Sequence, residues 1–365
     1  METVAAYELL FRLFAFLLGV AVGSFLNVCI YRLPHGLSVN RPRRSFCPSC
    51  KEPIPWRQNL PLLSWLWLRG KCANCGSRIS FRYFAVEFIS GLIFLIIWMA
   101  FPWPTAIAYW IFVSLLIAAT FIDFEHFIIP DEITIGGTVS GVLASVLIPA
   151  LMDETSAWRA FFWSLGSAVL GYLLLWLVLE GGKKIFGKKR VCLKEPTPFS
   201  WVRQGDDADF VVGDERSLWS EYFARESDLM LMRCSEAQVD DRTFSPCILQ
   251  LHYNMLTIEQ ETFRLDELER LSGLVEEMQI PREAMGRGDL KFIAAIGAFL
   301  GWRGVLCSIF AGSLIGSVVG LTSLLFKRHA WSAKIPFGPY LALGALTWMF
   351  FGSSLVNWYL DLLTP

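Results

Sequence analysis

The sequence predicts an all-α polytopic membrane bundle of about eight transmembrane helices, with a small cytoplasmic loop domain and a second, α+β cytoplasmic insertion. Two observations support this fold class. Hydrophobic residues make up 54% of the 365 residues, and the mean hydropathy is +0.47, an apolar fraction above that of soluble domains. The net charge of -1 hides an uneven distribution, because Lys and Arg gather in a few loops between long apolar runs.

Eight apolar runs approach the roughly 20 helical residues that cross a bilayer core of about 30 Å. They lie at 8–31, 83–102, 105–122, 132–151, 160–179, 289–300, 304–326 and 337–360. The sixth run is short, so the count carries an error of about one span. The first run has no basic segment before it and no small-residue cleavage site after it, and we interpret it as a retained helix.

The basic residues predict the orientation of these spans. Ten of them lie in or next to the first long loop, which the positive-inside rule places in the cytoplasm. Counting spans onward places the later basic clusters and both acidic motifs described below on the same side. The basic residues are Arg32, Arg41, Arg43, Arg44, Lys51, Arg57, Arg69, Lys71, Arg78 and Arg82, followed by Lys183, Lys184, Lys188, Lys189, Arg190, Lys327, Arg328 and Lys334.

Five regions follow from this pattern. The first transmembrane helix occupies 1–33, the loop domain 34–82 and a second group of helices 83–180. The insertion occupies 181–284, and the last helices occupy 285–365.

The loop at 34–82 contains two Cys-x-x-Cys pairs, Cys47 with Cys50 and Cys72 with Cys75. Each pair offers two thiolates to one ion, and four cysteines are typical of a closed, structural zinc site. A loop this short has few residues for an apolar core, so the metal would supply much of its folding free energy. Two disulfides and a redox pair are the alternatives; a reducing cytoplasm and the absence of a βαβ pattern disfavour them.

The insertion at 181–284 is predicted to be a small α+β domain. Alternating apolar residues at 228–233 and 248–253 indicate strands, and the pattern from Arg264 to Met278 indicates an amphipathic helix. A linker without a core is disfavoured, because six apolar residues are available to form one. They are Phe210, Val211, Val212, Trp219, Tyr222 and Phe223.

Two acidic motifs, far apart in the chain, lie beside apolar runs. One runs from Asp123 to His126, and the other, Gly286 to Lys291, follows the pattern Gly-x-Gly-Asp-x-Lys. A carboxylate beside a membrane span is costly and indicates a functional site. Two facing acids that share one proton can activate water, so Asp123 and Asp289 predict an aspartyl protease at a membrane surface.

Other residues of these motifs have alternative interpretations. Glu125, His126 and Asp131 compete with Asp123 for the first catalytic position, although Asp131 also suits the start of a helix. Gly286 and Gly288 are predicted to support the site by allowing close backbone approach. Lys291 is predicted either to influence the shared proton of the acidic pair or to contact substrate. The alternative is that its side chain only extends its ammonium group toward the membrane–water interface, as many lysines do.

The motifs together resemble those of the bifunctional prepilin peptidase family. The resemblance rests on the segment from Gly23 to Val28, the paired cysteines, the segment from Ile122 to Asp131, and Gly286 to Lys291. It implies that Asp123 and Asp289 form the catalytic dyad. The insertion at 181–284 departs from the family, in which this connection is short.

The resemblance further implies a multi-pass protein of the bacterial inner membrane with its active site facing the cytoplasm. Its substrates would be type IV prepilins or pseudopilins, cut between a basic leader and an apolar helix, with no nucleic acid as partner. Family members with four cysteines also N-methylate the new N-terminus with S-adenosyl-L-methionine. Residues for that donor are not predicted, and no Gly-x-Gly-x-x-Gly segment follows a strand.

Three other functions remain as alternatives. A monofunctional intramembrane protease with Gly-x-Gly-Asp has no reason to carry the cysteine loop. A non-enzymatic pilus-assembly protein has no need of the two acids, and a transporter would use them as ion relays.

Overall fold

The structure is a computed structural model that describes residues 2–42, 45–186, 188–204, 207–223, 228–259, 261–268, 270–281, 286–325 and 336–363. It has two compact units. Residues Met1–Trp176 and Gly286–Pro365 form one unit, and Leu177–Met285 form the other. The predicted end of the insertion at 284 lies outside the described residues. So do five of the basic residues that were used to predict the orientation. They are Arg43, Arg44, Lys327, Arg328 and Lys334.

Helices account for most of the first unit. The helices, in chain order, are α1 (Glu2–Arg32), α2 (Leu63–Trp67), α3 (Phe81–Ala100), α4 (Trp103–His126), α5 (Asp131–Leu147), α6 (Ala157–Phe186), α7 (Arg287–Leu325) and α8 (Gly338–Leu363). Short 3-10 turns, among them Leu33–His35 and Pro149–Met152, join or follow them.

Within the described residues, six helices are long and apolar enough to cross a membrane, so the predicted count of eight is not confirmed. They are Tyr7–His35, Phe81–Ala100, Trp103–His126, Ala157–Gly182, Arg287–Thr322 and Gly338–Leu362. The predicted span at 132–151 forms α5, which has only 17 residues because the chain turns at Pro149. The predicted spans 289–300 and 304–326 are joined in α7, which is interrupted at Gly301 (φ 69°, ψ -179°).

Helix α4 lies at the centre of the helical unit and positions one of the acidic motifs. The ring of Phe112 packs on that of Phe299 in α7, with centroids 4.8 Å apart. On its other side, the Trp110 indole N–H donates to the carbonyl of Phe94 in α3 at 2.9 Å. These buried contacts hold the first half of α4 against α3 and α7.

The second unit begins with the last turns of α6 and, within its described residues, forms an antiparallel sheet of nine strands. Its strands are β1 (Lys188–Gln204), β2 (Asp207–Val212), β3 (Glu215–Leu218), β4 (Met230–Val239), β5 (Arg242–Phe244), β6 (Cys247–Leu251), β7 (Met255–Ile258), β8 (Glu261–Arg264) and β9 (Arg270–Pro281). Their order is β3-β2-β1-β9-β4-β6-β7-β8, and β5 pairs with β4. The predicted strands at 228–233 and 248–253 are confirmed as β4 and β6, within shifted bounds.

The predicted helix from Arg264 to Met278 is wrong, and the insertion is β-rich rather than α+β. Leu271, Leu274, Val275 and Met278 have helical spacing, yet they lie in β9. This strand pairs with β1 on one side and with β4 on the other, where register shifts interrupt strict alternation. Pairing between residues distant in sequence overrides the local pattern.

One apolar core supports this sheet. The predicted core residues Phe210, Trp219 and Phe223 are buried, and Val212 and Tyr222 pack against them. The Trp219 indole N–H donates to the carbonyl of Tyr253 at 2.9 Å. Trp219 follows β3 and Tyr253 precedes β7, so this hydrogen bond joins segments next to strands near opposite ends of the sheet.

Candidate active site

The first acid of the candidate site, Asp123, lies in the last turn of α4. The helix ends at Phe127, whose left-handed conformation (φ 56°) closes a hydrogen bond to the Asp123 carbonyl at 3.0 Å. The carboxylate is 5% exposed. It accepts the backbone N–H of Gly338 at 2.9 Å, so it faces the first residue of α8. A helix N-terminus stabilises negative charge and leaves its N–H groups free to donate.

The second acid, Asp289, lies in the first turn of α7 and is 8% exposed. Its carboxylate turns back to hydrogen-bond the backbone of Gly286, the residue before the helix. This arrangement is one half of a capping box, in which the side chain of the third helical residue accepts the N–H of the residue before the helix. Gly286 has no side chain to form the other half. Each acid is therefore close to the N-terminal end of a helix. Asp123, at the end of α4, faces the start of α8, and Asp289 lies within the first turn of α7.

The structure brings the two acids together around Ile129, in the loop between α4 and α5. A Cβ atom added at Gly288 would lie 3.2 Å from the Ile129 Cβ, and one added at Gly338 would lie 2.9 Å from its Cδ1. The carboxylates of Asp123 and Asp289 are close enough to interact electrostatically. The second glycine of the predicted motif thus allows α7 to approach the loop that follows Asp123.

The other charged candidates are paired elsewhere. Lys291 Nζ lies 2.6 Å from Asp131 Oδ1, at the start of α5. Glu125 forms an ion pair with Arg82 in the first turn of α3. The ring of His126 packs edge-on against that of His35, with centroids 5.4 Å apart. Across the part of the chain that the structure describes, no lysine or arginine forms an ion pair with Asp123 or Asp289.

This geometry determines what the pair of acids can do. Two interacting, buried carboxylates cannot both hold a negative charge at little cost when, as among the described residues, no lysine or arginine pairs with them. One proton shared between the two carboxylates lowers that cost. The protonated member can donate a hydrogen bond, and the ionised member can accept a proton from water. That combination is the chemistry of an aspartic protease dyad.

The four cysteines of the loop form a second candidate site, a metal centre. The Sγ atoms of Cys47, Cys50, Cys72 and Cys75 all lie within 4.8 Å of one another. The Cys47 and Cys75 sulfurs are 3.8 Å apart, which equals the edge of about 3.8 Å expected for a tetrahedron with metal–sulfur bonds of about 2.3 Å. The four thiols therefore fit one tetrahedral metal ion.

The two halves of this metal centre repeat the same backbone turn. Cys47 N–H donates to the Glu52 carbonyl at 3.0 Å, and Cys72 N–H donates to the Ser77 carbonyl at 2.8 Å. Four residues after each first cysteine, the backbone is left-handed, at Lys51 (φ 61°) and Gly76 (φ 70°). Each knuckle thus presents its two sulfurs on the inside of a tight turn.

Hydrogen bonds favour the thiolate form at two of the four cysteines, Cys47 and Cys75, whereas the pKa of Cys50 is raised, with burial among the causes. Hydrogen bonding from the Cys50 backbone lowers the pKa of Cys47 to about 6. The Ser77 side chain, 3.1 Å from the Cys75 sulfur, lowers the pKa of that thiol as well. A thiolate is the form that binds a metal ion.

Gly338 is a site residue that the sequence analysis did not identify. A Cβ atom there would lie 2.7 Å from Asp123 Oδ2, so only glycine lets the start of α8 approach the acid. The segment from Pro336 to Pro339 has the composition of an ordinary helix start, and nothing in it points to Asp123. The contact joins residues 215 positions apart, which local pattern cannot predict.

Two family descriptions match this chain. The Bacterial Peptidase A24 N-terminal domain matches residues 17–101, which include the cysteine loop. The Type IV leader peptidase family matches residues 110–193 and 271–321, which include both acidic motifs. Most of the nine-stranded sheet, from 194 to 270, lies outside the matched ranges.

Several curated relatives, each named prepilin leader peptidase/N-methyltransferase, are similar over long stretches. The protein from Aeromonas hydrophila is 30% identical over 94% of this chain and 92% of its own length. The relative from Stutzerimonas stutzeri is 26% identical over 99% of this chain and 97% of its own. The relative from Myxococcus xanthus is 40% identical over 49% of this chain and 51% of its own.

No solved structure matches this chain. The identity to the Aeromonas hydrophila relative extends across nearly the whole of both proteins. Together with the two family matches, which cover the cysteine loop and both acidic segments, this similarity is decisive. The chain belongs to the prepilin leader peptidase/N-methyltransferase family.

Proposed function

We propose that this protein removes the leader from type IV prepilins or pseudopilins, with Asp123 and Asp289 as the catalytic dyad, and methylates the new N-terminus. One observation carries the peptidase assignment. Two buried carboxylates from segments 166 positions apart interact with each other while Lys291 is engaged by Asp131. The names of the relatives support both activities for this chain.

In the proposed mechanism, the two acids divide the work of hydrolysis. The ionised carboxylate takes a proton from a water molecule as its oxygen attacks the scissile carbonyl carbon, while the protonated carboxyl donates to the carbonyl oxygen. Collapse of the tetrahedral adduct breaks the C–N bond, and a proton passes to the departing amine. The Gly338 N–H holds Asp123 in place during these steps.

The membrane arrangement supports a site at one surface. The cluster of basic residues in 34–82 favours a cytoplasmic loop, and the proposed orientation places both acids on that side of a bacterial inner membrane. Counting α5 and the two halves of α7 separately gives the eight spans that we propose. A prepilin would place its apolar helix in the bilayer and its basic leader in the cytoplasm.

The four cysteines support zinc as the resident metal, held by Cys47, Cys50, Cys72 and Cys75. Four thiolates leave no open position for a water molecule, so the ion's contribution is structural. S-adenosyl-L-methionine would supply the methyl group. A monofunctional protease with the same acidic motif has no use for this loop, and the match of 17–101 to a dedicated N-terminal domain favours the bifunctional assignment.

The proposal is tested by incubating the purified, full-length protein with a prepilin, with and without S-adenosyl-L-methionine. Mass spectrometry of the product should show loss of the leader in both samples and one added methyl group at the new N-terminus only with the donor. A precursor that stays intact in both samples would reject the peptidase half. A cleaved product that stays unmethylated would reject the methyltransferase half.

A further inference from the structure

A cavity of about 340 Å³ lies in the helical unit between the cysteine loop and the adjoining ends of α1 and α3. This volume is at the lower end of the range for small-molecule sites. None of the residues assigned to the peptidase dyad lines it. Its walls contain polar, charged and aromatic side chains from both the loop and the helices, which are groups that bind a polar, charged ligand with an aromatic ring.

The buried end of the cavity holds a carboxylate. Glu87, in α3, is 8% exposed, and its carboxylate accepts the Leu62 backbone N–H at 2.7 Å. The Ser24 side chain of α1 also hydrogen-bonds to it. Among the described residues, no lysine or arginine forms an ion pair with Glu87. A buried carboxylate without a counter-cation is a binding group for a cationic ligand.

Asn27, in α1, lines the same cavity and is 3% exposed. Its amide N–H donates to the Tyr83 carbonyl at 3.0 Å. Its Oδ1 atom is buried and has no hydrogen-bond partner among the described residues. A buried acceptor without a partner is costly, which indicates that a ligand supplies the missing donor.

Close packing of α1 on α3 places these two residues next to each other. A Cβ atom added at Gly23 would lie 2.7 Å from the Glu87 Cα, so glycine at this position brings the helix axes together. The segment from Gly23 to Val28, which the peptidase mechanism does not use, thereby presents Ser24 and Asn27 to the cavity.

Aromatic rings and a basic residue complete the lining. Phe46 and Trp65 come from the loop, and Tyr31 and Tyr83 come from α1 and α3. The Tyr31 and Phe46 rings meet edge to face, with centroids 6.2 Å apart. Aromatic faces of this kind stack on a nucleobase. Arg78, also in the lining, is exposed and supplies positive charge for a ligand carboxylate.

We propose that this cavity binds the methyl donor, S-adenosyl-L-methionine, with Glu87 and Asn27 as its buried polar contacts and the aromatic side chains as the adenine site. The proposal rests on the methyltransferase half of the proposed function. The ligand carries a cationic sulfonium and ammonium, hydroxyl and amino donors, a carboxylate and a purine. Each group has a counterpart in the lining. The cysteine knuckles would act by holding Phe46 and the other loop residues over the helices.

The test is calorimetric titration of S-adenosyl-L-methionine into the purified, zinc-loaded full chain and two variants. Glu87→Gln removes the charge while its amide oxygen can still accept the Leu62 N–H, and Asn27→Ala removes the unpaired acceptor. Each variant should bind at least about tenfold more weakly, because a hydrogen bond to a charged or buried group is lost. Glu132→Gln is the control, since Glu132 is an exposed acid of α5 outside the lining, and should bind like the wild type.

Leader cleavage and thermal unfolding of the same preparations report whether the helical unit is folded. Wild-type affinity in both folded variants would overturn the donor site while leaving the proposed function intact. Weaker cleavage of prepilin with unchanged donor binding would also overturn it, and would assign the cavity to the substrate. A wild-type protein that neither binds the donor nor methylates product would reject the methyltransferase assignment itself.

Discussion

The backbone N–H of Gly338 donates a 2.9 Å hydrogen bond to the buried carboxylate of Asp123. The contact joins the first residue of α8 to the last turn of α4. It holds Asp123 by a neutral donor and a helix N-terminus, and no lysine or arginine among the described residues forms an ion pair with this acid. With this neutral donor, the Asp123 carboxylate can share a proton with Asp289. A lysine or arginine in contact with Asp123 would instead favour its ionised form and oppose that sharing.

The first prediction is that Gly338→Ala lowers the kcat of leader cleavage by at least about tenfold. The added methyl group would lie 2.7 Å from Asp123 Oδ2 and 2.9 Å from Ile129 Cδ1, so α8 or the acid must move. Misplacement of a catalytic group by about 1 Å is enough for a loss of this size. Gly136→Ala is the matched control, because nothing lies within 4 Å of its added Cβ. Equal activity in the two variants would contradict the role of Gly338.

The second prediction concerns the metal centre. Elemental analysis of the purified protein should give one zinc ion per chain, and Cys47→Ser, Cys50→Ser, Cys72→Ser or Cys75→Ser should each lower that content. Limited proteolysis should then cut within 34–82, because a hydroxyl is a poor substitute for a thiolate. Cys192→Ser serves as the control, since Cys192 is exposed and outside the cluster.

Methylation is expected to depend on this metal more than cleavage does. The cysteines hold the loop that lines the proposed donor cavity, whereas Asp123 and Asp289 lie on helices. Cleavage and methylation should therefore be measured on each cysteine variant. Because methylation acts on the N-terminus that cleavage exposes, the methylation assay uses a pilin that already lacks its leader. Loss of prepilin cleavage together with full methylation of that pilin would contradict the expectation.

The third prediction concerns Lys291, whose Nζ lies 2.6 Å from Asp131 Oδ1. Both side chains are partly exposed, so their ion pair contributes about 0 to 1 kcal/mol to stability. Lys291→Gln and Asp131→Asn should each lower the melting temperature slightly, with non-additive effects in the double variant. The pH dependence of cleavage should stay unchanged, since the lysine is engaged away from the dyad. A shifted pH profile in Lys291→Gln would show that it acts on the acids.

The fourth prediction concerns the nine-stranded sheet. Lys188 and Pro281 are partners at one end of the β1–β9 pairing, so the insertion leaves and rejoins the chain at neighbouring points. Replacing 188–281 with a short Gly/Ser linker should therefore retain cleavage of a simple precursor peptide, with altered selectivity among full precursors. A variant that inserts into membranes and binds zinc but has no peptidase activity would show that the sheet helps to form the active site.

The chemistry-bearing segments were predictable from sequence because their information is local. The Gly-x-Gly-Asp pattern and the spacing of Cys47, Cys50, Cys72 and Cys75 each specify a short turn, and the four sulfurs converge as the spacing predicts. The apolar runs likewise predicted helices, because burial in lipid requires length and hydropathy alone. Their count was less predictable, since the break at Gly301 and the early end of α5 depend on single residues.

The parts that sequence reasoning missed depend on distant partners. The strand β9 was predicted as a helix because its pairing with β1 and β4 is invisible in a local pattern. The pairing of Lys291 with Asp131 and the contact of Gly338 with Asp123 also join separate segments. Such contacts depend on how the helices pack against one another, and the local pattern of a single sequence does not show that packing.

The central claim is that Asp123 and Asp289 are the catalytic dyad, and leader cleavage by three asparagine variants tests it most directly. An amide is nearly isosteric with a carboxyl group but cannot share the dyad's proton. Asp123→Asn and Asp289→Asn, reconstituted in lipid and folded as judged by zinc content and thermal unfolding, should each lose at least about a thousandfold in kcat. Asp131→Asn, the matched change in an exposed acid of the same segment, should cleave at nearly the wild-type rate. Near-normal cleavage by either dyad variant, or loss of cleavage in Asp131→Asn alone, would contradict the assignment.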